Sequence, residues 1–177
     1  MNGLVDVPPW QAECEALYRE HAARVVRLAR VLLSDGQEAQ DVAQEVFLKL
    51  VRAYPDTDRP MQWGAWLAKV TVNACRDRRR AGWWRWWRSR HDPVENVEVV
   101  DRTPSPERVA LNAEARERIG RIFRQLPARQ REVVALRYVE GCSTQEVADA
   151  LGVTTGSVKR HLFRAVQRLR VVLGEVT

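Results

Sequence analysis

Catalysis needs reactive groups held close together, and this sequence keeps its reactive groups apart. His21, His91 and His161 fall on three different segments, and Cys14, Cys75 and Cys142 are scattered with no CxxC spacing. No acidic cluster, metal-ligand spacing or nucleophile beside a base is present, so the expectation is a protein that is not an enzyme and holds no metal or cofactor. An odd, scattered set of thiols reads as reduced cytosolic cysteine rather than a disulfide framework. What the chain does concentrate is positive charge. Between Lys69 and Arg90 eight Lys and Arg residues face Asp77 alone, and between Gly156 and Arg170 five stand with no acid. Guanidinium and ammonium groups at this density suit the binding of a polyanion.

The whole chain of 177 residues carries a net charge of +6, with a pI near 9.8. Between the two basic stretches, Asp92–Glu117 has a net charge of −4, and basic segments on either side of an acidic one suggest two separate grips on one polyanion. The first basic stretch ends in "RRRAGWWRWWRSR", Arg78–Arg90, which holds four of the seven tryptophans. If a helix continues past Gly82, then Trp83, Trp86 and Trp87 share a face. Three readings are open to that face: it folds back on the preceding helices, it stacks on bases or lines an apolar groove, or it lies on a membrane surface. The N-terminus has no basic segment followed by an apolar run, and no stretch of eighteen apolar residues occurs. The expectation is a cytoplasmic protein with no stable membrane insertion.

The periodicity that positions these residues is helical throughout, and the fold class expected is all-α. Leu17, His21, Val25, Leu28 and Leu32 make one apolar stripe, ending at "SDG". Ala39, Val42, Val46, Leu50 and Tyr54 make a second, broken by "YPDTDRP". Trp63, Trp66, Leu67, Val70 and Ala74 make a third, on a helix expected over roughly Met61–Arg80. A polar linker follows, closed by "RTPSPE", and four more helical segments follow Ser105 as a cap. The expectation is two small helical domains, 10–81 and 105–177, joined by a linker at 82–104.

The segment 144–163, "TQEVADALGVTTGSVKRHLF", has the spacing of a helix-turn-helix. Two helices crossing steeply need a small residue where they approach, a residue that tolerates positive φ in the turn, and a branched anchor in the second helix. Ala148, Gly152 and Val158 supply these in order, and Ser143 with Glu146 forms a capping box ahead of them. The second helix then presents Thr155, Ser157, Lys159, Arg160 and Arg164 outward, where cations can contact guanine edges or phosphates in a major groove. The bland alternative is a helical hairpin with a solvated basic face.

"QEAQDVAQEVFLKLVRAY" followed by "WLAKVTVNACRDRRR" resembles region 2 of sigma-70-family factors, and "LPARQREVVALRYVEGCSTQEVADALGVTTGSVKRHLFRAVQRLR" resembles their region 4. The order and the missing intermediate regions resemble the extracytoplasmic-function (ECF, group 4) branch. The resemblance implies a chain that binds core RNA polymerase (the β′ coiled coil and the β subunit), directs it to promoter DNA and promotes melting, with an anti-sigma factor as a further partner. It implies core-polymerase contacts at Asp41, Gln44, Glu45 and Phe47. It implies minus-ten contacts at Trp66, Lys69, Asn73, Arg76 and Arg79, although Trp66 at helical spacing with Leu67 also reads as core. Region 4 would carry the minus-thirty-five contacts at Thr155, Ser157, Lys159, Arg160 and Arg164. Arg160 stands where the commonest pattern has a small polar residue, and His161 where an arginine is frequent. The alternative function is a helix-turn-helix regulator that docks on no polymerase.

Overall fold

The computed structural model describes residues 9–55, 61–88 and 120–174. Among these every regular element is helical, as the periodicity predicts. Helix α1 (Pro9–Leu33) buries Val25, Leu28, Ala29 and Leu32 on one stripe. It ends at Ser34, whose φ of 61° makes it the one described non-glycine residue in the left-handed region. The expected glycine punctuation is therefore displaced: Asp35 caps α2 (Gly36–Ala53), accepting from the Glu38 N–H at 2.9 Å, and Gly36 is already helical. A side-chain acceptor at that position satisfies a free N–H of the first turn, which moves the start of α2 upstream. Helix α2 turns Val42, Val46 and Leu50 onto α1 and the next helix.

Helix α3 (Trp63–Arg88) is longer than the expected Met61–Arg80, because it passes through Gly82 instead of stopping there. Glycine in a helix interior costs only about 1 kcal/mol, and no proline or cap follows it before Arg88. The first seven residues of the expected linker are thus helical. The side chains of the tryptophan cluster, and the stretch 89–119 with the rest of the linker, lie outside the described residues. Tyr54 stacks on Trp63 at 5.0 Å, and Trp63 meets Trp66 edge-on at 5.6 Å, closing the turn between α2 and α3.

The second half opens with helical residues 120–125, called α4, whose Ile122 is buried. Helix α5 (Ala128–Val134) starts after Pro127. Its last turn widens into a π turn at Ala135–Val139, with Glu140 N–H donating to the Ala135 carbonyl at 3.1 Å. The wider turn changes the angular position at which Glu140 leaves the helix. Helix α6 (Thr144–Leu151) carries the predicted capping box, and Gly152 at φ 63° makes the turn to α7 (Thr155–Gly174). Ala148 and Val158, at 2% and 0% exposure, fill the crossing as the spacing requires.

The two halves share one core. A single apolar cluster runs from Leu28 and Leu67 of the first half to Leu136, Val147 and Val158 of the second. Helix α3 rests on α6, and α1 on the π turn.

The capping box yields a stability prediction. Ser143→Ala should cost about 1 kcal/mol in urea unfolding. The Ser143 N–H, and then its hydroxyl, hold the Glu146 carboxyl below its ordinary value. A depressed carboxylate stabilises above its unfolded value and loses that contribution as pH falls through the folded one. The stability gap between the parent and Glu146→Gln should therefore narrow on acidification; a constant gap would remove the carboxylate from the cap.

Candidate nucleic-acid interface

Helix register divides α2 into two sides. Val42, Val46 and Leu50 face the core, while Gln44 is exposed and Asp41 and Glu45 are half-buried beside it. Phe47 departs from the expected exposed contact. It is 9% exposed and its ring packs edge-on against Tyr18 at 4.8 Å, because position 47 follows Val46 on the same buried stripe. The apolar groups that α2 does expose are Leu48 and Val51, at 57% and 42%. Arg78 of α3 reaches across to this side, 3.7 Å from Asp41 and 3.9 Å from Glu45. Those separations are too long for hydrogen bonds, and half-exposed pairs of this kind contribute about 0–1 kcal/mol.

The candidate minus-ten residues all lie on α3 but in different states. Lys69 is exposed, Trp66 is half-buried against Trp63, and Asn73 accepts from Arg76 Nη1 at 3.4 Å. Arg76 and Arg79 are not free. Arg76 offers Nε and Nη2 as a fork to the two carboxylate oxygens of Glu132, at 3.3 and 3.0 Å. Arg79 Nη2 donates to the same carboxylate at 2.9 Å, and Arg129 Nη1 at 3.1 Å. The Glu132 side chain is 1% exposed, although it comes from α5 in the other half of the molecule. Unpaired, so buried a charge would cost several kcal/mol; three guanidinium groups and bidentate geometry are what make it tolerable.

A second carboxylate crosses the same seam. Glu140, after the π turn, accepts from Arg24 Nε, and its carbonyl accepts from Arg24 Nη2 at 3.3 Å. Arg27 stands 3.9 Å away. Burial works against the Arg24 charge, but the hydrogen bond and charge of Glu140 outweigh it and hold the guanidinium above its ordinary value. The seam is not fully satisfied: Arg79 Nη1, Arg131 Nε and Glu140 Oε1 are buried with no hydrogen-bond partner among the described residues. Burial and the neighbouring Arg79 charge push Arg131 below its ordinary value.

The face presented by α7 contrasts with this. Lys159, Arg160 and Arg164 are exposed and pair with no described acid, and Thr155 and Ser157 flank them at the helix start. The Thr154 hydroxyl caps that start, accepting from the Ser157 N–H at 3.2 Å. Of the five residues the sequence singles out, Lys159, Arg160 and Arg164 are exposed and Thr155 and Ser157 half-buried. Sequence reasoning misses Glu132, Glu140, Arg24 and Arg78. One signal for Glu132 was available: it sits one helical turn before Leu136, on the buried side of "REVVALRYV".

Two family models match the chain, one described as sigma-70 region 2 over residues 17–91 and one as sigma-70 region 4 over residues 116–169. The ECF RNA polymerase sigma factor SigD of Mycobacterium tuberculosis is 37% identical over 152 residues, covering 82% of this chain and 70% of that protein. The ECF RNA polymerase sigma factor SigL of the same organism is 37% identical over 164 residues, covering 91% of this chain and 89% of that protein. Among solved structures, the sigma factor RpoE in complex with the anti-sigma factor NepR, from Bartonella quintana, shares the fold. Its TM-score is 0.74 at 21% identity, covering 95% of this chain and 98% of that one.

Burial of the thiols gives a testable consequence of this packing. Cys75 lies at the seam side of α3, and burial pushes its thiol up to about 12; burial also raises Cys142, which sits beside Arg24. A thiol rather than a thiolate is a poor nucleophile. Native protein at pH 8 should therefore resist alkylation at Cys75, with labelling appearing on denaturation; rapid native labelling mapped to Cys75 would contradict the packing.

Proposed function

The chain belongs to the sigma-70 family, in its ECF branch, and from that premise we propose which of its surfaces meets each partner. The protein directs RNA polymerase to promoters; it is a DNA-binding initiation factor and not an enzyme. On our reading the outer side of α2 docks on the polymerase β′ coiled coil. Asp41 and Glu45 offer charged acceptors, Gln44 an amide, and Leu48 and Val51 take the apolar role expected of Phe47. Region 4 would also contact the β subunit. Asn73 would pair with the edge of an extruded minus-ten base, with Lys69, Arg76 and Arg79 on the strand phosphates and Trp66 flanking the site. Capture of an unstacked base favours melting because it offsets the few kcal/mol that unstacking costs. Helix α7 would enter the major groove at the minus-thirty-five element, with Lys159, Arg160 and Arg164 as its contacts.

The observation that best supports this reading is the basic face of α7, which stands exposed and pairs with no acid among the described residues, on a helix-turn-helix whose turn is made by Gly152. A polymerase-independent regulator would need no region 2, and a region 2 model matches residues 17–91. Cytoplasmic location follows from the proposed work, since polymerase and promoter meet there; among the described residues no helix is long and apolar enough to cross a membrane. An anti-sigma protein is the further partner we propose, by analogy with the Bartonella complex.

The polymerase contact is tested by Asp41→Ala with Gln44→Ala. The pair should weaken co-elution with purified core polymerase while shifting unfolding stability by no more than about 0.5 kcal/mol. Loss of stability with polymerase binding retained would make these residues structural.

A further inference from the structure

Glu140 has one oxygen to spare. Its side chain is 1% exposed, and Oε2 accepts from Arg24 Nε. Oε1 is buried with no hydrogen-bond partner among the described residues, and Arg27 Nη2 at 3.9 Å is too distant to serve. A buried acceptor left in that state costs more than an ordinary hydrogen bond contributes. Beside it lies a chamber of about 10 Å3, lined by Glu140, by His21 and Arg24 of α1, and by Gly64, Leu67 and Thr71 of α3. We infer that this chamber is a binding site for one water molecule, which donates to Glu140 Oε1 and ties α1, α3 and the end of the π turn together.

Size and charge decide the occupant. A water needs a cavity of roughly 10–15 Å3 and two to four polar partners, so the chamber takes one water and no organic ligand. A metal cation would stand close to the guanidinium groups of Arg24 and Arg27, and an anion would meet the carboxylate. Hydrogen-bonding capacity points the same way. Thr71 is fully buried and its hydroxyl donates to the Leu67 carbonyl at 2.7 Å, so it has only lone pairs left to offer. A carboxylate oxygen in a guanidinium pair likewise only accepts. Two acceptors on one small chamber call for a molecule with two donors, and water has two. Arg24 spends Nε and Nη2 on Glu140, which leaves Nη1 beside Gly64 to donate to the water oxygen. Gly64 makes the room. A Cβ at that position would lie 3.3 Å from Arg24 Nη1 and 3.6 Å from His21 Cε1, so even a methyl group crowds the wall.

Oxygen-17 magnetic relaxation dispersion on the full-length chain counts waters held far longer than those at the surface. Gly64→Ala, which narrows the chamber, and Thr71→Val, which keeps the shape and removes an acceptor, should each lose one long-lived water relative to the parent. An unchanged count in either folded variant overturns the inference. A crystal structure of the parent should place the water within hydrogen-bond distance of both Glu140 Oε1 and Thr71 Oγ1, and this test stands alone if neither variant folds. A crystal in which Arg27 has turned onto Oε1 in place of water, or in which a metal ion ringed by oxygens fills the chamber, overturns the inference.

Discussion

The carboxylate of Glu132, 1% exposed and held by Arg76, Arg79 and Arg129, is the contact around which the two halves of the molecule are arranged. It sets the face on which α5 meets α3, and Glu140 with Arg24 fixes the second point, where the π turn meets α1. Apolar packing between the halves supplies the non-directional part of the attraction. The ion pairs supply register, since a guanidinium fork accepts a carboxylate in few orientations. Their net contribution to stability is small or even unfavourable after desolvation.

That division of labour explains why a strongly basic chain can keep one cationic surface exposed and fold another inward. On α7 the cations project from a helix whose opposite side, through Val158 and Ala165, is fully buried, so their exposure is a consequence of register. On α3 the same logic runs the other way. Cys75 and Val72 are buried on the side next to Arg76 and Arg79, and region 4 covers that side. The proposed sigma-factor reading uses both surfaces.

Much of this was legible in the residues. The stripes at Val25, Leu28 and Leu32 and at Val42, Val46 and Leu50 place α1 and α2. The Ser143–Glu146 box with Ala148, Gly152 and Val158 places the helix-turn-helix to the residue. Local signals suffice there because caps and helical periods involve neighbours within a few positions. What could not be read was contact at long range. Arg76 and Glu132 are 56 positions apart, and nothing in either local pattern says that one meets the other. An arginine run reads as a free surface until a buried acid elsewhere is matched to it. The burial of Phe47 was missed for a nearer reason: a 3.6-residue period puts 46 and 47 on one wide stripe, and the motif alone does not show how wide the stripe is.

The central claim is that the two regions of the free protein are held together across the Glu132 seam. Förster transfer between dyes placed at Asp77→Cys on α3 and Gln145→Cys on α6, both exposed positions, reads this directly. The account predicts high transfer in the free chain. Low transfer in the free chain at low salt would contradict it.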